Sequence, residues 1–252
     1  MHQLVVARYK ESVSWINSLS DEFDVTIYNK SESIRDLEFV GRPAKVVQRP
    51  NFGREAESYL YHIVSNYHDL RGTLVFSQAD PFEHSPNFLE LLRTIGSWPE
   101  IQPLSHIWKL SEGIPPRELL EGSCSDTSRP SKLRKERYSL ATLAPVEFHD
   151  PGAIRVAEFY KTQHVLSNAE NIAAHFLRRC GLNGLSEMAR AAQIGSFYYG
   201  AMFGVSAELV KSISIGSWER MHAIAVSEEI TPWILERLWF HLFGEPFLRI
   251  CT

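Results

Sequence analysis

The sequence predicts an α/β fold whose C-terminal part is mainly helical. In the first third of the chain, short apolar runs alternate with amphipathic segments, which is typical of βαβ units. From Pro151 onward, apolar residues recur at helical spacing, and proline and glycine mark the expected helix ends. The 252 residues are 44% hydrophobic, which is enough for one substantial core. We therefore expect a single domain over residues 1–252, built on a mixed sheet.

The first 110 residues contain the predicted strands and the clearest predicted helix. Four apolar runs predict strands at residues 4–7, 25–28, 44–47 and 73–76. Amphipathic segments predict helices at residues 12–19, 54–67 and 87–95. In the helix at 54–67, Ala56, Tyr59, Leu60 and Ile63 lie on one stripe, so this helix should pack one face against the sheet.

The second half begins with a segment that interrupts every periodic pattern. Gly, Pro and Ser residues between 111 and 137 predict a long loop. We expect the region 111–140 to be mobile and to close over a bound ligand. Beyond it, residues 153–163, 169–180 and 232–243 predict helices, and residues 197–205 predict a strand with two close-approach glycines.

Composition limits the possible functions and settings. The chain carries 26 basic and 30 acidic side chains, a net charge of −4, which disfavours a protein that coats nucleic acid. A basic stretch at 132–137 is either a patch for phosphate or nucleic acid, or a solvated charged turn. No apolar run reaches the roughly 18 residues of a membrane span. The 3 cysteines are far apart, which argues against a disulfide framework and predicts a reducing, cytoplasmic setting.

Polar residues follow every predicted strand of the N-terminal half. In an open α/β sheet, ligands bind beyond the carboxyl ends of the strands. Polar strand ends that each carry a cation or an amide therefore predict a rim that holds an anionic ligand. The residues expected to bind this ligand are Ala7, Arg8, Tyr9, Asn29, Lys30, Asn51, Gly53, Arg54, Glu55 and Gln78.

The turn from Asn51 to Glu55 is the sharpest local signal. Gly53 at the helix start allows a ligand to approach the backbone, and the N–H groups of the first helical turn attract phosphate. Arg54 would add a charge-assisted contact to phosphate or carboxylate. In the alternative interpretation, Asn51 is a helix cap and Arg54 and Glu55 form a surface pair. Neither G-x-x-x-x-G-K nor G-x-G-x-x-G occurs in the sequence.

Two further regions offer groups for catalysis or metal binding. Asp80 follows a predicted strand and, with His84 nearby, could hold Mg²⁺ or Mn²⁺; the alternative is an Asp-Pro turn with a surface histidine. Glu236 lies between Trp233 and Trp239 on a predicted helix, where an apolar cleft would raise the pKa of its carboxyl and make it a base. Alternatively, Glu236 pairs with Arg237 or Arg220. His241 on the same helix could face the metal.

Several segments together resemble a family of mostly fungal and bacterial proteins catalogued as a domain of unknown function. They are VVARYKE (5–11), IYNK (27–30), NFGRE (51–55), VFSQ (75–78), GAMFGVS (200–206) and ERLW (236–239). The resemblance covers most of the chain outside the loop. That family is similar in layout to the nucleotide-sugar glycosyltransferases with a single Rossmann-like domain, the GT-A type.

The resemblance implies roles for particular residues. In GT-A enzymes an N-terminal strand end holds the nucleotide, an acidic motif after a later strand binds metal and diphosphate, and a carboxylate from the C-terminal half acts as base. Asp80 stands at the metal-binding position and Glu236 at the position of the base. The usual Asp-x-Asp motif is Gln78-Ala79-Asp80 here. A single acid assisted by His84 or His241, or a basic group in place of the metal, is therefore an alternative.

The resemblance thus implies a GT-A-like glycosyltransferase that moves a hexosyl or pentosyl group from a nucleotide-diphosphate donor to a hydroxyl acceptor. The acceptor would be a glycan, a small molecule or a modified nucleic acid, and Mn²⁺ or Mg²⁺ would be the cofactor. Residues 1–110 would form the nucleotide-binding half and residues 141–252 the acceptor side. The alternatives are a non-catalytic sugar- or nucleotide-binding protein of the same fold, and a nucleic-acid-modifying sugar transferase that uses the basic stretch.

Overall fold

A computed structural model describes residues 1–32, 41–105, 135–146 and 149–250. The strands in these residues are β1 (His2–Arg8), β2 (Phe23–Asn29), β3 (Lys45–Gln48), β4 (Thr73–Gln78), β5 (Ile101–Pro103), β6 (Glu136–Ser139), β7 (Ile194–Phe197) and β8 (Phe203–Ser206). The α-helices are α1 (Arg54–Asn66), α2 (Phe88–Leu92), α3 (Pro151–His164), α4 (Ile172–Arg179), α5 (Asn183–Arg190), α6 (Ala207–Ser212), α7 (Ile215–Ser227) and α8 (Thr231–Leu242).

The central feature is a mixed sheet of 6 strands in the order β3-β2-β1-β4-β8-β5. β3, β2, β1 and β4 are parallel, whereas β8 runs antiparallel to both β4 and β5. The register pairs Arg8 with Asn29, Asn29 with Gln48, and Ala7 with Gln78. The carboxyl ends of the four parallel strands therefore meet at one edge of the sheet.

Both faces of the sheet are buried, which explains why its strands read as continuous apolar runs. On one face, Val5 and Phe76 pack with Tyr59 of α1 and Trp239 of α8 in the larger core cluster. On the other face, Val6 belongs to a smaller cluster that includes residues of the first segment and of α2. Alternate residues of β1 thus supply two different cores.

The predicted α/β class and the four N-terminal strands are confirmed. The helix predicted at 54–67 is α1, and those at 153–163, 169–180 and 232–243 correspond to α3, α4 and α8. The segment 12–19 forms a 3₁₀ helix over Ser14–Ser18 rather than an α-helix, because its start has no side-chain cap and only Ile16 within it is buried. The helix predicted at 87–95 is shorter, since it ends at Leu92 and is followed by a 3₁₀ turn.

The prediction of one strand at 197–205 is wrong. β7 ends at Phe197 and pairs with β6 in a separate sheet of 2 strands, whereas β8 lies in the main sheet. A tight turn over Tyr199–Ala201 separates the two strands. Gly200 has φ +84° and Ala201 has φ +49°, so the chain cannot continue in an extended conformation there.

Most of the predicted mobile loop, with Lys132 and Arg134 of the basic stretch, lies outside the described residues. Its C-terminal end is described, and there the prediction is wrong, because residues 136–139 form β6. The pairing of β6 with β7 gives these residues a partner that their own sequence does not reveal. Among the described helices, none combines the length and hydropathy that crossing a lipid bilayer requires.

Candidate functional site

The carboxyl ends of β1, β2 and β3 are joined by a buried polar network. Arg8 Nη1 donates to Asn29 Oδ1 at 2.7 Å, and Asn29 Nδ2 donates to Gln48 Oε1 at 2.9 Å. Arg8 Nε also donates to the Glu11 carbonyl at 2.9 Å. Arg8 is 1% exposed. These predicted ligand-binding residues therefore come together as expected, but Arg8 and Asn29 hold the strand ends and the following turn in shape.

Lys30, the next predicted cation, is enclosed by the protein. Its Nζ donates to the carbonyls of Phe52 and Arg54 and lies 2.9 Å from Glu57 Oε2. Two carbonyl oxygens therefore accept hydrogen bonds from the ammonium group, and the Glu57 carboxylate forms an ion pair with it. Burial lowers the pKa of Lys30, and the Glu57 charge opposes that shift. Lys30 thus fixes the turn before α1 from inside rather than presenting its charge to a ligand.

Glu57 is the centre of this charged cluster. Burial acts to raise the pKa of Glu57, but hydrogen bonds from His222 and Arg49, with the Lys30 charge, bring it to about 2. Arg49 Nε donates to Glu57 Oε1 at 3.1 Å, and its guanidinium lies 3.6 Å from the ring centroid of Tyr61. The cluster therefore ties β2 and β3 to α1 and α7 through an ionised carboxylate.

Gly53 is required by packing against α7. It has φ +62°, and a Cβ there would lie 2.7 Å from Glu57 Cβ and 2.8 Å from the Ala225 carbonyl oxygen. Gly53, not Asn51, caps α1, so the alternative role for Asn51 is not observed. The first turn of α1 carries two acidic residues, Glu55 and Glu57, and Glu57 is paired with Lys30 and Arg49.

Gly200 links the end of β4 to helix α8. Gln78 Nε2 donates to the Gly200 carbonyl at 2.8 Å, and the Gly200 N–H donates to Glu236 Oε1 at 2.9 Å. His84 packs against the same glycine, since a Cβ at Gly200 would lie 3.0 Å from His84 Cδ2. The structure thus brings Gln78, His84 and Glu236 together around one backbone turn.

Glu236 is held on both carboxylate oxygens. Besides the Gly200 bond, its Oε2 lies 3.0 Å from Arg237 Nη1. Arg237 is 3% exposed, and its Nε donates to the Leu143 carbonyl at 2.9 Å. The ion pair with Arg237 that the sequence left as an alternative is therefore present, whereas Arg220 bonds to the Cys180 carbonyl instead.

Glu55, predicted as a ligand-binding residue, is a largely buried carboxyl in the first turn of α1. Burial raises the pKa of the Glu55 carboxyl; Arg54 acts against this shift, and the Glu236 charge adds to it. Arg54 is exposed, with its Nε 3.8 Å from Glu55 Oε2 and its guanidinium 5.1 Å from the Trp233 ring centroid. Glu55 was predicted only as a ligand-binding residue, so its desolvated carboxyl was not foreseen from the sequence.

Two buried side chains of α1 and α8 carry polar atoms that are unpartnered in the described part of the chain. Tyr59 and Trp239 are 0% exposed, and their ring centroids are 6.2 Å apart. Among the residues that the structure describes, neither the Tyr59 hydroxyl nor the Trp239 indole N–H has a hydrogen-bond partner. From the sequence, Tyr59 was predicted on the packing face of its helix, and Trp239 was considered only as a neighbour of Glu236. The missed signal is their spacing, since Tyr59 follows Glu55 by one helical turn and Trp239 follows Glu236 by three residues.

The three predicted metal ligands do not come together. His241 is 1% exposed; its Nδ1 donates to the Glu245 carbonyl at 2.7 Å, and its Nε2 accepts from the Ser196 N–H at 3.0 Å. Burial lowers the pKa of His241 to about 4. Asp80 is exposed and accepts from the Phe82 N–H at 3.3 Å, while His84 lies against Gly200.

No three His, Cys, Asp or Glu side chains within the described ranges are grouped so that they could hold a metal ion. Asp80, His84 and His241 therefore do not form one group in the described structure, and both nitrogens of His241 are engaged inside the protein. Metal binding by Asp80 stays a prediction. Asp80 alone is a poor fit for a protein-held cation.

Two predicted residues next to β1 occupy contrasting positions. The Ala7 carbonyl accepts from the Ala79 N–H at 2.9 Å, so Ala7 is part of the junction between β1 and the turn after β4. Tyr9 is exposed, and its N–H donates to Glu11 Oε2 at 2.9 Å. The turns after β1 and β4 are therefore adjacent.

Residues 4–92 match a family described as "Protein of unknown function (DUF3431)". The matched segment contains the four parallel strands and α1, and the motifs around Gly200 and Glu236 lie outside it. No curated protein and no solved structure matches the chain. The family description assigns no activity.

Proposed function

We propose that the protein transfers a sugar from a nucleotide-diphosphate donor to a hydroxyl acceptor, as the GT-A layout implies. The observation that carries the proposal is the Gly200 turn, which brings Glu236 of the C-terminal half to the end of β4 through bonds of 2.8 and 2.9 Å. A carboxylate at this position can accept the proton of an acceptor hydroxyl.

The sheet order supports a nucleotide position next to this carboxylate. From β1 the chain proceeds to β2 and β3 on one side and then returns to β4 on the other side. This reversal makes a switch point, where ligands bind in open α/β sheets. The turns that begin at Tyr9 and Asp80 flank the switch point. A donor placed there would have its sugar directed toward the Gly200 turn.

The three predicted cations near this position, Arg8, Lys30 and Arg54, differ in whether a ligand could reach them. Arg8 and Lys30 are engaged inside the protein, so they shape the strand ends. Arg54 is exposed at 58% of its side chain and is the predicted cation best placed to contact a diphosphate. If a divalent cation takes part, the donor diphosphate must supply most of its ligands, with Asp80 as the protein carboxylate. Transfer of the acceptor's proton to Glu236 does not require that cation.

The proposal is tested by a ligand screen followed by an assay for turnover. Nucleotide sugars and nucleoside diphosphates are tested by thermal shift with and without Mn²⁺, because a ligand that binds only the folded state raises the melting temperature. The nucleotide sugar that gives a shift is then incubated with hydroxyl acceptors, and release of nucleoside diphosphate with formation of the glycoside is measured. Failure of every nucleotide sugar to bind would refute the proposal.

A non-catalytic binding protein of the same fold is the second candidate. It is favoured by the contact between Glu236 and Arg237 at 3.0 Å, since a carboxylate paired with a guanidinium is a weaker base. This candidate predicts saturable binding of a nucleotide sugar without glycoside formation for any acceptor. For the nucleic-acid-modifying alternative, the residues of the basic stretch up to Arg134 lie outside the described ranges.

A further inference from the structure

The proposed reaction uses Glu236 of α8, but it leaves unexplained three other polar side chains of α1 and α8, which are Glu55, Tyr59 and Trp239. Glu55 and Glu236 are partly exposed, with side-chain exposures of 15% and 17%. Below them, Tyr59 and Trp239 are fully buried, and both polar atoms are unpartnered among the described residues. A buried donor without a partner is costly and rare in a native protein, so a group that satisfies these donors is expected.

The spacing along each helix puts each donor on the same helix face as one of the carboxyls. Helical side chains incline toward the N-terminal end of their helix. Tyr59 therefore leans toward Glu55 on α1, and Trp239 leans toward Glu236 on α8. Glu55 and Tyr59 are four residues apart on α1, so the two side chains lie on the same face of that helix. The first turn of α1, where Glu55 lies, is at the carboxyl edge of the sheet.

The chemistry of the four groups selects the class of ligand. The phenol and the indole donate hydrogen bonds, and the two carboxyl groups accept them from hydroxyls. Phosphates and other anions are disfavoured because they would face two acidic side chains. Alternating donors and acceptors beside aromatic rings match an uncharged molecule that carries several hydroxyl groups.

We propose that Glu55, Tyr59, Glu236 and Trp239 form a binding site for the sugar ring of an uncharged acceptor. The ring hydroxyls enter between the two carboxyls as the Glu55 side chain turns aside, and they reach the Tyr59 hydroxyl and the Trp239 indole N–H. This inference rests on the proposed function for the identity of the ligand as acceptor. It makes that acceptor a neutral saccharide and not a nucleic acid.

The test uses the full chain labelled with ¹⁵N and a panel of methyl glucosides, galactosides and mannosides as probes. The indole N–H signal of Trp239 is assigned by its loss in Trp239→Phe. We expect a methyl hexoside to shift this signal on titration, and we expect Tyr59→Phe to weaken its binding three- to tenfold through loss of one hydrogen bond. Because the Tyr59 hydroxyl has no partner among the described residues, Tyr59→Phe should melt at or above the wild-type temperature.

A matched control is Tyr160→Phe. Tyr160 lies on α3 and is also 0% exposed, and its hydroxyl forms a hydrogen bond with His175 Nδ1 at 2.8 Å. This variant should bind the hexoside like the wild type. The same titrations are run with uridine and guanosine diphosphates, whose affinities should be unchanged by Tyr59→Phe.

The outcomes separate this inference from the proposed function. If a nucleoside diphosphate binds but no methyl hexoside shifts the Trp239 signal, the acceptor site is refuted while the proposed function stands. Equal hexoside affinity in the wild type and Tyr59→Phe, or stronger binding of glucose 6-phosphate or an oligonucleotide at Trp239, would also refute it. Hexoside binding without any nucleotide binding would support the sugar site and overturn the transferase.

Discussion

The Gly200 N–H donates to the Glu236 carboxylate at 2.9 Å, and this bond connects the turn before β8 to helix α8. The turn has a positive φ at both Gly200 and Ala201, a conformation that costs free energy for a non-glycine residue. Gln78 holds the same glycine from the end of β4. The carboxylate is therefore positioned by the sheet edge and by its own helix together.

Glu236→Gln tests whether this carboxylate is the catalytic base. Glutamine keeps the shape and can still accept the Gly200 N–H, but it cannot take a proton. For the transferase we expect kcat to fall by about 10²–10⁴-fold, with donor affinity and fold retained. Steady-state kinetics and a melting curve are the measurements. A lowered melting temperature with unchanged activity per folded molecule would assign Glu236 only a structural role, as partner of Arg237.

Arg54→Ala tests the donor-binding role of the exposed guanidinium at the start of α1. Loss of one charge-assisted contact should weaken binding of a nucleoside diphosphate by roughly 1.5–3 kcal/mol. Calorimetric titration of wild type and variant gives the two affinities. Arg71→Ala is the matched control, because Arg71 is similarly exposed, at 57%, and precedes β4 at the opposite edge of the sheet. Equal affinity in wild type and Arg54→Ala would remove Arg54 from the site.

The four parallel strands could be predicted from the sequence because they depend on local patterns. Apolar runs fix the strands, and the parallel topology then brings Arg8, Asn29 and Gln78 to one edge. The sequence alone could not predict how those residues are used. The enclosure of Lys30 depends on Glu57 and two carbonyls that become neighbours only after folding.

The desolvation of Glu55 could not be predicted for a similar reason. Aromatic neighbours in sequence suggested burial for Glu236, but Arg237 and Gly200 bind its oxygens. Glu55 has no aromatic residue adjacent to it in sequence and becomes desolvated only where α1 packs against α8. Desolvation is a property of tertiary packing, so sequence spacing alone assigns it poorly.

Glu57→Gln tests the buried charge cluster at the start of α1. The variant leaves Lys30 buried without its ion-pair partner, and we expect the free energy of unfolding to fall by about 3–5 kcal/mol at pH 7. Because the folded pKa of Glu57 is about 2 and its ordinary value is 4.5, the carboxylate stabilises the fold above pH 4.5 and this stabilisation is lost as the pH falls toward 2.

The stability curves of wild type and Glu57→Gln should therefore converge on acidification, as measured by urea denaturation. Glu187→Gln is the control, since the pair of Glu187 with Arg190 is exposed and should contribute little. A constant difference between pH 7 and pH 3 would contradict the ionised cluster.

Asp80→Asn with metal removal tests the predicted cation. If a divalent ion is bound by the donor diphosphate and Asp80, the substitution should abolish both turnover and the Mn²⁺-dependent part of donor binding. Donor titrations with Mn²⁺ and with excess EDTA measure this. Full activity in EDTA would exclude a required metal, and would leave Asp80 as a candidate contact for sugar hydroxyls.

Glu55→Gln tests the desolvated carboxyl through the pH dependence of stability. Burial raises the pKa of Glu55 above its ordinary value of 4.5, and the Glu236 charge adds to the rise against the charges of Arg54 and Lys30. The folded state thus binds the Glu55 proton more tightly than the unfolded state does. Because of this difference, the free energy of unfolding falls as the pH rises above 4.5. Glutamine is neutral at every pH and lacks this penalty. We expect Glu55→Gln to match the wild type near pH 4.5 and to become progressively more stable than it toward pH 8, as measured by urea denaturation.

Glu187→Gln is the control, because Glu187 lies in an exposed pair, and its difference in stability from the wild type should not grow with pH. If the wild type is as stable as Glu55→Gln at pH 8, or more stable, ionisation of Glu55 does not destabilise the folded protein. That result would contradict a raised pKa for Glu55.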